Sequence, residues 1–262
     1  MPEIVHWNPK RWGRLGRGPV SRWIPARKGF DNFGDLLGPM IVRRIHERRA
    51  LGRARGRTPR LLAVGSIMRL AATGDVVWGA GINGKTVDIA QFPVVDVRAV
   101  RGPRTAAVLR SFGNEVPDVF GDPALLIPHL WTDAELGIRR RTSGTVLMPN
   151  YNDLRTWPSG AIDPRGDPIE RVRLLASAER VVASSLHAIA IAEAYGVPAV
   201  LVASAKEKPF KYIDYYEGTG REAPRAAESW EEGLDTPGAP PISGWNHSTL
   251  LDAFPDDLWH SR

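Results

Sequence analysis

The chain has 262 residues, 43% of them hydrophobic and 24% charged, which is ordinary for a globular protein with one large domain or two modest ones. The absence of cysteine excludes disulfides and thiolate metal sites, and no apolar run reaches the ~18 residues of a membrane-spanning helix. The net charge of +6 is uneven: residues 1–60 hold 15 Lys/Arg against 4 Asp/Glu, and the other 202 residues hold 20 against 25.

The N-terminus, MPEIVHWNPKRWGRLGRG, is basic but lacks the apolar stretch of a signal peptide, so a cytoplasmic location is expected. Next, FDNFGDLLGPM (30–40) places Asn32, Gly34 and Asp35 in a turn before a helix predicted over 35–50, with Pro39 in its first turn. Gly34 allows positive φ or close approach of a ligand, and Asp35 is either a helix cap or a catalytic carboxylate. Eight arginines then fall between Arg43 and Arg60. They are either a solvated helix and loop or a patch for an anionic membrane or a phosphorylated substrate. No helix-turn-helix, zinc-finger or RRM signature accompanies them, which argues against nucleic acid.

Strands are predicted at RLLAVGSI (60–67), DVVWGAGI (75–82) and VVDVRAV (94–100). Residues 79–86 fit G-x-x-x-x-G-K-T, but only VDIAQF separates Thr86 from Pro93, too little for the helix that a nucleotide-binding P-loop needs. In VRGPRTAAVLRSFG the strand ends at Arg101, Pro103 opens a helix and Gly113 closes it. Arg101 and Arg104 thereby oppose the helix dipole, which suits an anion site better than a stabilising role. Asp122 in FGDPALLIP reads as an Asx-type turn before an apolar strand.

The polar segment 131–144 divides the chain into residues 1–130 and 131–262. Strands follow at TVLMPN (145–150), RVVASS (180–185) and PAVLV (198–202), with helices at 168–178 and 185–195. Ser184 or Ser185 can cap the second helix, which is apolar almost all round and therefore buried. His187 sits in its first turn, either as a satisfied core group or facing a ligand. In KEKPFKYIDYYEG, Lys206, Lys208 and Lys211 form an anion clamp or a solvated turn beside an aromatic corner. Apolar strands alternating with helices give an α/β class with parallel sheets covered on both faces.

Taken in order, NFGD, VGS followed by VWGAGI, VRGPRT, GDPALLIP, SSLHAIAIAEAYGVP and KYIDYY resemble the polysaccharide pyruvyl transferases over roughly residues 28–218. The chain is similar to the branch with Ser-Leu-His before the apolar helix. Other members carry Arg-Leu-His, and Ser185 stands where that arginine would. The resemblance implies two Rossmann-like domains facing across a cleft, similar to the glycosyltransferase B type. It implies transfer of an enolpyruvyl unit from phosphoenolpyruvate to a sugar, closing as a pyruvate ketal on two hydroxyls, without metal or nucleotide cofactor.

Carried over by motif, His187 and Arg101 lie at the donor, with His187 as general acid and Asp35 as the expected base. Arg104, Ser184, Ser185, Asn32, Gly34, Gly79, Gly81 and Lys211 complete the expected binding set, and Gly79 and Gly81 belong to the family's own WG-x-G pattern. The acceptor implied is a sugar of a polysaccharide or a lipid-linked oligosaccharide, met where the basic face touches the inner side of the membrane. Trp7, Trp12 and Trp23 either stack on sugar rings or fill a core. Two other readings stay open. One is a nucleotide-sugar glycosyltransferase in which Glu193 holds a ribose; the other is a non-catalytic glycan- or phosphate-binding relative, suggested by the missing arginine.

Overall fold

The computed structural model describes residues 1–8, 30–54, 59–85 and 92–259. Trp12, Trp23, Arg55, Arg57 and Thr86 lie outside the described residues. Among those described, the strands form two parallel sheets. The first has the order β1 (Ile4–Val5), β2 (Leu61–Leu62), β3 (Val76–Trp78) and β4 (Asp96–Ala99). The second has the order β5 (Thr145–Met148), β6 (Arg180–Ala183) and β7 (Ala199–Leu201). Leu61, Leu62, Val76–Trp78 and Val181–Ala183 are buried without alternation, as strands covered on both faces must be.

Helix α1 (Phe33–Arg48) lies between β1 and β2, and α2 (Pro103–Ser111) follows β4. After α3 (Ile127–Leu130) and α4 (Asp133–Leu136), α5 (Pro168–Ser177) precedes β6, and α6 (Leu186–Ala194) joins β6 to β7. The chain then forms α7 (Phe210–Gly218), α8 (Trp230–Asp235) and α9 (His247–Asp252). Helix α6 buries Ala188 through Ala192 continuously, so it has no solvent face to offer. No helix among the described residues is long and apolar enough to cross a membrane.

Two local expectations are corrected. Helix α1 starts at Phe33, which puts Pro39 in its interior instead of its first turn. Pro39 has no N–H for the carbonyl four residues back, so the Asp35 carbonyl lacks its helical partner. The GDPALLIP stretch is not a strand. Pro123 and Pro128 cannot donate to a ladder, and Asp122 instead caps a 3-10 turn, Pro123–Leu126, by accepting from the Ala124 N–H at 2.9 Å.

That turn decides how the two sheets meet. Ala124, Leu125 and Leu126 share one core with Phe33, Leu37 and Ile41 of α1, Val172 and Leu175 of α5, and Ile189 and Ile191 of α6. Helix α7 crosses to pack on α2. The strand-to-helix corners of both sheets are therefore held against one another. Much of the basic run contributes to the same assembly. Arg44 pairs with Glu135, Arg48 donates to the His129 carbonyl at 2.7 Å, Arg49 reaches Asp256 at 2.7 Å, and Arg60 holds Asp75 at 2.5 Å.

Candidate functional site

A cavity of about 230 Å³ opens where the two sheets' corners meet. The N-terminal half lines it with Asn32, Asp35, Ser66, Arg69 and Lys85, among others, and the C-terminal half with Asn150, Asn152, Ser185, His187, Glu207 and Lys211.

The corner after β6 sets His187. Ser184 is fully buried; its hydroxyl donates to Asp153 at 2.8 Å and accepts from the Asn150 N–H, while its carbonyl accepts from the Tyr212 hydroxyl. Ser184 thus pins the loop and does not face the cavity. Ser185 occupies the N-cap position of α6 without a side-chain cap bond and lines the cavity, followed by His187 in the first turn. The imidazole lies on the backbone of Gly34, where a Cβ would stand 2.1 Å from Nδ1. Gly34 is needed for close approach, but by a histidine and not by a ligand. Phe33 packs edge-on to the same ring at 6.5 Å.

Asp35 joins His187 at the cavity wall. The position a Cβ of Gly65 would take is 3.5 Å from the Asp35 Oδ1 and 3.9 Å from the His187 Cε1. Asn32 donates to the Asp35 Oδ2 at 2.6 Å. Burial pushes the Asp35 carboxyl up to about 6, against the Asn32 hydrogen bond and the charges of Lys211, His6 and Arg69. For His187, burial lowers the pKa, Asp122 opposes this, and Lys211 and Arg101 add to it, so the resting imidazole is neutral.

The same cavity also carries charge. Lys211, nearly buried, places Nζ 3.2 Å from the Glu207 Oε2, while Lys85 reaches the Glu207 Oε1 at 2.8 Å and Asn152 donates to that oxygen at 3.1 Å. Burial lowers the Lys211 pKa despite Glu207. Burial would raise the Glu207 pKa, but Lys211 and Lys85 together pull it below the usual value. Arg69 stands over the Trp7 ring at 6.0 Å, and Trp7, Phe30 and Tyr151 form an aromatic rim, with ring centroids 5.5 Å and 4.0 Å apart.

Several expected ligands are instead part of the scaffold. Arg101 is fully buried, donating to Asp214 at 3.0 Å, to Ser66 at 2.9 Å and to the Ile82 carbonyl at 2.6 Å. Asp214 also accepts from the Thr105 N–H and hydroxyl. The anion drawn to the start of α2 is thus the protein's own carboxylate, delivered by α7. Arg104 pairs with Glu217 of the same helix at 2.8 Å and is absent from the cavity wall. Gly81 leaves room for the Arg101 guanidinium, whose Cζ would lie 2.3 Å from a Cβ there. Gly79, at φ +87°, leaves room for Pro123.

Glu193 is buried and held by Arg221 at 2.6 Å and by the Tyr215 hydroxyl at 2.7 Å, so it is not free to hold a ribose. Sequence reasoning missed Ser66, Arg69, Lys85, Asn150, Asn152 and Glu207 on the cavity wall. Three of them lay in motifs already singled out: Lys85 in the discarded G-x-x-x-x-G-K-T match, Ser66 in VGS and Glu207 in KEKPFKYIDYYEG.

A model of the polysaccharide pyruvyl transferase family matches residues 62–206, more than half of the chain. Succinoglycan biosynthesis protein ExoV of Rhizobium meliloti (strain 1021) is 28% identical over 176 residues. The alignment covers 61% of this chain and 54% of that protein, so the chain spans about half the length of the curated relative it matches. A crystal structure of a functionally uncharacterised protein from Klebsiella pneumoniae subsp. pneumoniae NTUH-K2044 aligns with a TM-score of 0.46 at 14% identity, over 71% of this chain and 83% of that one. The matched family segment runs from β2 through the His187 corner to the loop before Glu207, and on that match the chain belongs to the polysaccharide pyruvyl transferase family.

Proposed function

We propose that the chain moves a pyruvyl group from phosphoenolpyruvate to a sugar of a polysaccharide or lipid-linked oligosaccharide, with the cavity as the donor site. One observation carries this reading: His187 and Asp35 line the same cavity as the cations Arg69, Lys85 and Lys211. Phosphoenolpyruvate brings a phosphate and a carboxylate, and the cavity sets Arg69, Lys85 and Lys211 against the single carboxylate of Glu207 that the two lysines share, which leaves an excess of positive charge to receive them. These cations take the task that Arg101, Arg104 and the missing family arginine would have had. The two-lobed reading, with residues 1–130 and 131–262 facing across a cleft, belongs to the same proposal and is supported by the mixed lining of the cavity.

The chemistry follows from the proton balance. The methylene carbon must gain a proton as C2 becomes cationic, and an arriving anion favours the imidazolium of His187, which then donates it. Asp35 accepts the proton of the first sugar hydroxyl as its oxygen bonds to C2. The C2–O bond to phosphate breaks, the second hydroxyl closes the ketal, and its proton leaves with the phosphate. Phosphate release from phosphoenolpyruvate in the presence of candidate glycosides tests the reading. If the protein binds nucleotide sugars but not phosphoenolpyruvate, it belongs to the glycosyltransferase reading instead. Binding without turnover identifies a non-catalytic relative.

Two further results are expected. The rate with saturating substrates should rise with pH through about 6 as Asp35 ionises, and Asp35→Asn should remove that rise. Stability should run the other way. A carboxyl whose folded pKa lies above its unfolded value of 3.8 favours the folded state below that value, and this contribution is lost as pH climbs through about 6. Asp35→Asn should therefore flatten the fall in melting temperature between pH 4 and 7.

The second result concerns Gly34. Gly34→Ala should displace the imidazole and lower turnover ~10²-fold, because a misplacement of about 1 Å is enough for a loss of that size. Normal turnover in this variant would show that the seat on Gly34 is unimportant.

A further inference from the structure

Asp122 lies 65 residues before His187 in sequence, yet the fold sets the two side chains face to face. The Asp122 Oδ2 is 3.7 Å from the His187 Nε2, with the carboxylate fully buried and the imidazole 13% exposed. Both atoms are sealed from solvent, and neither has a hydrogen-bond partner. Two orphaned polar atoms pointing at each other inside a core are costly unless a proton connects them. The other oxygen, Oδ1, is committed to the Ala124 N–H, which fixes the carboxylate plane from the 3-10 turn. The turn itself is locked into the core beside α6, so Asp122 and His187 sit on elements that cannot separate without opening that core. With Nε2 sealed, Nδ1, which rests beside Gly34, is the ring nitrogen not aimed at Asp122 in a residue that lines the cavity.

We propose that Asp122 is a positioning residue for His187: its Oδ2 takes the Nε2–H, which leaves Nδ1 as the nitrogen that carries the catalytic proton at the cavity. The short remaining gap closes when Nδ1 is protonated, because the imidazolium and the buried carboxylate then attract as a charged pair. A water or hydroxyl partner at Nε2 would allow either tautomer; a lone carboxylate, which only accepts, allows one. The catalytic part of this inference rests on the pyruvyl-transfer reading, whereas the tautomer does not.

The test separates the two. Nitrogen-15 chemical shifts of His187 in the intact wild-type protein should show Nε2 protonated and Nδ1 bare at neutral pH. In Asp122→Asn, Oδ1 can keep its bond to the Ala124 N–H while the new amide donates to Nε2. The proton of the neutral ring should therefore move to Nδ1, and turnover should fall ~10²-fold or more with donor affinity unchanged, because an amide that donates to Nε2 opposes the doubly protonated imidazolium that must deliver the proton. A protonated Nδ1 in the neutral wild-type histidine overturns the proposal without any variant, as does an unaltered tautomer in Asp122→Asn. Should the wild type show the expected tautomer but release no phosphate from phosphoenolpyruvate, the pyruvyl-transfer reading fails and the Asp122–His187 pairing stands.

Discussion

Replacing His187 by alanine is expected to reduce phosphate release from phosphoenolpyruvate by ~10²- to 10⁴-fold, the range associated with losing a positioned general acid. The effect should fall on turnover more than on donor affinity, because the cations proposed to hold the anion, Lys85, Lys211 and Arg69, remain. The fold should survive with a lowered melting temperature, because the buried Asp122 Oδ2 loses the ring that it faces. His187 lies at the cavity wall on the backbone of Gly34, and the rest of α6 keeps its apolar contacts. Steady-state kinetics with a fixed glycoside, alongside a melting curve, separate the two outcomes. Turnover equal to that of the wild type would leave His187 without a chemical role.

Arg101→Ala is expected to act on stability. Its partner Asp214 is fully buried, and removing the guanidinium leaves a carboxylate without its cation, a change that typically costs about 3–5 kcal/mol. The loss propagates across the α2–α7 contact, because Gly102 and Gly218 bring the two backbones together there. A Cβ on Gly102 would stand 1.8 Å from the Asp214 carbonyl oxygen, and one on Gly218 would stand 2.1 Å from that of Arg101. Urea unfolding should show a lower midpoint with an unchanged slope.

The paired variant Arg101→Met, Asp214→Leu should recover much of this loss, since it removes both buried charges together. Recovery will be incomplete because Thr105 loses the acceptor of its N–H and hydroxyl. If Arg101→Ala unfolds at the wild-type midpoint but weakens phosphoenolpyruvate binding, the arginine belongs to the donor site after all.

The contrast between these residues shows what could be read in the primary structure. The α/β class, the parallel pairing and the burial of α6 were legible, because strand and helix periodicity are local and the runs at 181–183 and 188–192 leave no polar face. Position alone left His187 and Asp35 open between a structural and a ligand-facing role, and the family resemblance singled them out; the structure puts both in the first turn of a helix and on the wall of one cavity. For Arg101 the local signal was incomplete for a related reason. A cation at the start of α2 calls for an anion, and that inference was sound, but nothing in residues 100–113 says that the anion is Asp214, 113 positions later.

Likewise, Asp122 read as a turn residue, which it is, while its second oxygen is aimed at a histidine from the other sheet. Lys85, Arg69, Asn152 and Glu207 converge on one cavity from four separate segments with no shared spacing. Local sequence determined which elements form and which faces they bury, because those depend on backbone propensity and on apolar side chains a few residues apart. Only the docking of the two sheets decided which charges meet. Ion pairs and hydrogen bonds act across a few ångströms of space, whatever the distance along the chain.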